Sequence, residues 1–115
     1  TQKILFRKCN LISEKSKLND IFNEFKPDVV VHCAAKILDT YDKNLVWKTN
    51  YYATKDLIEI CAVHRVKKFI FISSFSIFQK NYEKPIDENE KPSFKTVYGE
   101  TKYLTERMLL KSNFT

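Results

Sequence analysis

A chain of 115 residues with 43% hydrophobic and 14% aromatic content can bury one modest core, so a single domain, with no second one, is expected within it. Twenty Lys and Arg against fourteen Asp and Glu give a net charge of +6, yet the basic residues lie scattered among acids, which speaks against a nucleic-acid footprint. No apolar run approaches the roughly 18 residues that span a bilayer, and the opening TQKILFRKCN has no signal-peptide core, so a cytoplasmic protein without membrane attachment is expected.

Lys3 to Phe6 reads as a short strand that runs through Arg7 and Lys8 into a loop at Cys9, Asn10 and Leu11. From Ser16, the residues Leu18, Ile21, Phe22 and Phe25 recur at helical spacing, and Pro27 closes that amphipathic helix. Val29, Val30 and Val31 with His32 and Cys33 form an unbroken β-type run, the pattern of a strand covered on both faces in a parallel sheet. Leu45, Thr49, Tyr52, Ala53, Leu57, Ile60, Cys61 and His64 keep a helical period and predict the longest early helix. Val66 to Ile72 repeats the buried-strand signature and ends on Ser73 and Ser74. Pro85 and Pro92 among charged residues mark a surface loop from Gln79 to Lys95, and a last helix starts near Thr96.

Strand, helix, strand, helix, strand, loop, helix is the order of an α/β protein with a parallel sheet. Ligands of such sheets sit beyond the carboxyl ends of the strands, where Asn10, Ala34 to Lys36, and Ser73 with Ser74 all fall. Cys9, Cys33 and Cys61 are odd in number and lack CxxC spacing, so buried free thiols are expected. His32 lies inside a buried strand and reads as a satisfied core histidine, and with no second cluster at ligand spacing no metal is expected.

Tyr98 and Lys102, four residues apart in YGETK, share one helix face. An ammonium beside a phenol favours the phenolate through which an acid/base tyrosine must pass. The pair gains meaning from its company: the hydroxyls that end FIFISSFSIF and the small residues of HCAA at the end of the preceding strand.

With these residues in place, the chain resembles the extended short-chain dehydrogenase/reductase family, the NAD-dependent epimerases and dehydratases that modify nucleotide-sugars. PDVVVHCAAK at Pro27 to Lys36 resembles the family's fourth strand and cofactor-facing turn, and KTNYYATKDLIEIC at Lys48 to Cys61 is similar to its following helix. FIFISSFSIF resembles the fifth strand with its serine turn, PIDE at Pro85 to Glu88 the acidic loop, and YGETKYLTE at Tyr98 to Glu106 the catalytic helix.

The resemblance implies a partial Rossmann-type doubly wound sheet, strands 3 to 5 of the family with their helices, in residues 1 to 115, and NAD or NADP as cofactor. It makes Tyr98 the general acid/base, puts Ser74 on the same substrate oxygen with Phe78 as the aromatic that closes the turn, and has Lys102 hold the nicotinamide ribose. Asn10 and Leu11 align with an Asp-Leu pair at the adenine, Ala34 and Ala35 fit a turn that lets a ribose approach, and Asn50 matches an Asn facing the site, while the loop residue Lys36 is read either as a phosphate contact or as a solvated lysine. Asn10 replaces the family's Asp, and Tyr52 and Ala53 stand where a Gly-Thr pair is usual.

The family's first strand and GxxGxxG loop precede anything in this sequence, whose one glycine is Gly99, so it is expected to be an internal piece active only within a longer chain. Lys3 to Phe6, without its neighbours, is expected to dock loosely or pair non-natively. A small-molecule substrate, a nucleotide-sugar, follows from the resemblance, which also allows a homodimer of the full-length protein. Two other readings stay open: a thioester- or steroid-type reductase of the same family, and a non-catalytic regulatory or binding subunit that kept the fold.

Overall fold

The computed structural model describes residues 3–37, 42–80 and 83–114. Helix α1 (Lys15–Phe25) follows the predicted apolar period, burying Leu18 and Phe22 and ending at Lys26, which takes a left-handed conformation before Pro27. Strand β1 (Val29–His32) pairs in parallel with β2 (Lys68–Phe71), Val29 opposite Lys68 and His32 opposite Phe71. The pairing runs on past β2, where Ile72 N–H donates to His32 O. Between the strands the chain is helical from α2 (Lys43–Trp47) through a π-helical turn at Lys48–Tyr52 into α3 (Ala53–Val63). After a 3-10 turn at Phe75–Ile77 and a loop, α4 (Val97–Leu110) begins, its first turn capped by the Thr96 side chain, which accepts from Gly99 N–H.

All these helices lie on one side of the sheet. Leu18 and Phe22 of α1 and Leu57, Ile60 and Cys61 of α3 form the core with Val66, and Val30 and Phe69 pack against it from the sheet. On the same face, Lys102 of α4 reaches over the Phe71 ring. An ion-pair bridge from Lys15 to Asp56 and Glu59 joins α1 to α3 at the surface, where such pairs add little stability.

Three expectations need correction. Lys3 to Phe6, read as a strand by its residues, forms none: among the described residues no strand lies beside it, and Ile4 and Phe6 are almost fully exposed, so the sheet has two strands, and the segment shows the loose docking expected of it without its neighbours. The segment is held by its Arg7 side chain, which pairs with Glu24 and lies over the Phe25 ring. The two-sided burial read from Val29 to Val31 is one-sided, because strand side chains alternate and the helices cover only the Val30 and His32 face. Cys33 continues that alternation and is exposed rather than buried; Cys61 is buried, with its thiol pushed up to about 12 by burial, and Cys9 lies between.

The open face carries Val29, Val31, Ile70 and Ile72, all exposed. An apolar sheet face next to unpaired edges invites association. Sedimentation at rising concentration should therefore show mass above the 13.7 kDa monomer, and Val31→Lys should lower it; a monomer at every concentration would refute the expectation.

Candidate functional site at the carboxyl edge of the sheet

The two strand ends and the first turns of α4 converge. Gly99 is buried against the serine turn so closely that a Cβ added there would stand 2.4 Å from Ser76 O. Tyr98, the neighbour of Gly99, is thus held at the turn that carries Ser74. One helical turn on, Lys102 is 3% exposed, and its Nζ donates to Ile72 O at 2.7 Å, the carbonyl just before Ser73. The ammonium lies 4.6 Å from the centre of the Phe71 ring and 5.8 Å from that of Tyr98. Burial holds the Lys102 pKa below the ordinary lysine value, an effect opposed by Cys33 and Glu106.

The two serines differ. Ser74 Oγ accepts from Ser76 N–H at 3.1 Å and so caps the 3-10 turn. As an acceptor it keeps its own proton to donate. Ser73 Oγ is buried with no hydrogen-bond partner, on a groove of about 310 Å³ shared with Phe69, Phe71 and Leu109. Ser74→Ala should therefore cost about 1 kcal/mol by loss of the cap, while Ser73→Ala should be neutral or stabilising, because a buried unpaired hydroxyl opposes folding. Urea melts of the two variants read this contrast, and a larger loss from Ser73→Ala would overturn the assignment.

On the β1 side, Ala34 is exposed and Ala35 and Lys36 are half-buried. Asn50, buried in the π-helical turn, holds this loop: its Oδ1 accepts from Lys36 N–H at 2.8 Å, and its Nδ2 donates to Lys36 O at 3.0 Å and to Thr101 Oγ1 at 3.2 Å. Its amide is spent on the protein, so its part in the site is to fix other groups, not to reach a ligand with its side chain. Asn10 Oδ1 accepts from Ile12 N–H in a local turn ahead of α1, and Leu11 packs against the core. Asn10 and Leu11 are thus placed by the turn ahead of α1, whereas Lys36, Asn50, Tyr98 and Lys102 are placed by the loop after β1, the π-helical turn and α4.

His32 is a satisfied core histidine, as expected: its Nε2 meets Thr54 Oγ1 at 2.8 Å, and its ring contacts those of Phe69 and Phe71. Three fully buried threonines, Thr54, Thr101 and Thr105, escaped sequence reasoning. The available signal was their spacing, since Thr101 and Thr105 lie four apart on one face of the helix that carries Tyr98 and Lys102.

A parallel sheet with helices on one face and a serine, a tyrosine and a buried lysine gathered at its carboxyl edge defines part of a Rossmann-type fold. Residues 3–113 match the model of the NAD dependent epimerase/dehydratase family, and the chain belongs to that family. It is 32% identical over 110 residues to a UDP-glucose 4-epimerase of Caenorhabditis elegans, covering 86% of this chain and 30% of the relative. It is 34% identical over 89 residues to the decarboxylating sterol-4-alpha-carboxylate 3-dehydrogenase of Homo sapiens, covering 75% of this chain and 24% of that enzyme. Among solved structures, UDP-glucose 4-epimerase from Brucella ovis in complex with NAD superposes with a TM-score of 0.84 at 26% identity, over 91% of this chain and 33% of that one. The chain thus spans a third or less of the length of these proteins.

Proposed function

We propose that this chain supplies the catalytic side of an NAD-dependent epimerase, dehydratase or reductase acting on a nucleotide-sugar, working within a longer polypeptide. Bound NAD would take up and return the hydride. Tyr98 accepts the proton of the substrate hydroxyl as it is oxidised, and gives one back on reduction. Ser74, with its Oγ accepting from Ser76 N–H, donates to the same oxygen as charge develops there. Lys102 spends one of its three donors on Ile72 O and has two left for ribose hydroxyls.

The observation that carries this reading is the burial of Lys102 between Ile72 O and the Tyr98 ring. A lysine almost never gives up its hydration without a task or a partner. The fit to a dinucleotide covers its nicotinamide half: the exposed Ala34 leaves the main chain after β1 open to a ribose, and Lys36 stands beside it. No glycine-lined helix start for a pyrophosphate occurs among the described residues, so that half would be bound by other parts of the polypeptide.

The test is NAD(H) and NADP(H) binding by calorimetry on the full reading frame that encodes this chain, with and without Tyr98→Phe and Lys102→Ala. NAD binding that Lys102→Ala weakens, and turnover of UDP-glucose that Tyr98→Phe abolishes, are expected. A folded protein that binds neither cofactor would sink the enzymatic reading and favour a regulatory subunit. The likeness to the human sterol dehydrogenase supports a second reading, a sterol substrate at the same Tyr98 and Ser74. Turnover of a 3-hydroxysterol carrying a 4-carboxylate, without turnover of nucleotide-sugars, would decide for it.

A further inference from the structure

We propose that Asn50 and Thr101 are positioning residues, a buried clamp that makes the main chain at Lys36 and the Tyr98–Lys102 face of α4 move as one body. The inference rests on the reading of Tyr98 and Lys102 as the working pair, but its geometry stands apart from that reading.

The clamp is continuous. Lys36 N–H and O both bond to the Asn50 amide, whose second Nδ2 proton goes to Thr101 Oγ1. Thr101 in turn donates its hydroxyl proton to Tyr98 O at 2.8 Å. Asn50 is 2% exposed and Thr101 is fully buried, so water cannot replace these bonds. Only a primary amide offers one acceptor and two donors at this reach; a carboxylate would lose both donors and face the Lys36 carbonyl with charge.

The π-helical turn explains how Asn50 is aimed. Ala53 N–H reaches back five residues to Lys48 O, so the helix widens where Asn50 sits. The main-chain oxygen of Asn50 accepts from two hydroxyls, Thr54 at 2.8 Å and Thr105 of α4 at 3.3 Å. Asn50 is thereby tied to α4 through both its side chain and its backbone. A displacement of α4 must pull on Lys36, which follows β1 by four residues, and the reverse holds equally.

Nitrogen-15 NMR on this chain tests the clamp. Thr101→Val keeps the shape and removes the hydroxyl, and Thr101→Ser restores it. With Val, the Lys36 amide should exchange about tenfold faster, as expected for loss of a buried hydrogen bond, while the Ile72 amide of the strand ladder keeps its rate. The Lys102 Nζ titration should move with it, and Ser should return both to the original values. Lys36 and Ile72 amides accelerating together would reduce Thr101 to general stability and overturn the proposal. Should Thr101→Val fail to fold, the unsubstituted chain decides: both Asn50 side-chain protons must be protected, and free exchange of either refutes the clamp. Calorimetry with NAD on the full reading frame separates the two readings. Absence of NAD binding with the NMR coupling intact refutes the enzymatic reading alone. NAD binding without the coupling refutes the clamp alone.

Discussion

Replacing Gly99 with alanine is expected to destabilise the chain by about 1–3 kcal/mol, the usual cost of overpacking a filled site. The intrinsic helix preference has the opposite sign, because alanine inside a helix is worth about 1 kcal/mol over glycine. The contact decides. A Cβ at Gly99 would stand 2.4 Å from Ser76 O and 3.0 Å from Phe94 Cβ, and the oxygen belongs to the backbone of a capped turn that cannot rotate aside. No glycine here has a positive φ, so what Gly99 supplies is the absence of a side chain and not an unusual backbone conformation. To admit the methyl group, the first turn of α4 must lift off the serine turn, carrying Tyr98 away from Ser74. Urea denaturation of Gly99→Ala measures the cost, and a gain of stability near the helix-propensity value would show that the two turns are not in contact. In the full reading frame the same variant should lose turnover by more than its loss of stability explains.

The elements legible in the sequence were those whose signal is local and periodic. The apolar period from Leu18 to Phe25, the Pro27 stop, the β-branched run at Val29 and the hydroxyl pair after Ile72 each report their own backbone state, and each lies where it was expected. The single glycine was visible as a scarcity, but its purpose depends on Ser76, which lies 23 positions earlier in the sequence. Asn50 aligned with a site-facing residue, yet the destination of its amide depends on a π-helical turn that no periodicity announces. Lys3 to Phe6 has every local mark of a strand and forms none, because a strand is completed by a neighbour; its loose docking was legible from the resemblance and not from its own residues. Cys33 reads as buried by composition and is exposed because alternation puts it on the uncovered face.

Acidification from pH 6.5 toward pH 4 is expected to weaken the fold through His32. The ring is 4% exposed, contacts the rings of Phe69 and Phe71 on β2, and has its pKa lowered to about 4 first by burial and then by the positive charge of Lys102. Thr54 gives its only hydroxyl proton to Asn50 O, so its oxygen accepts from His32 Nε2, which fixes the neutral ring with its proton on that nitrogen. The folded pKa lies below the unfolded value of 6.5, so between the two the unfolded chain binds a proton that the folded chain refuses. Stability is therefore full above pH 6.5 and falls as the pH drops through that window, with a total loss of at most about 3 kcal/mol. The carboxylate of Glu14, whose pKa is lowered chiefly by the Asn10 N–H, acts in the same direction but only as the pH falls below its ordinary value of 4.5. Loss of stability between about pH 6.5 and 5 thus belongs to histidine. Urea melts across that range should show the slope in the unsubstituted chain and its loss in His32→Gln. A slope that survives in His32→Gln would assign it to another group. Protonation would occur at Nδ1 and leave the Nε2–H bond to Thr54 in place, but it would add a buried charge beside Lys102 at the end of β1, so acid weakens the fold at the edge that carries the proposed site.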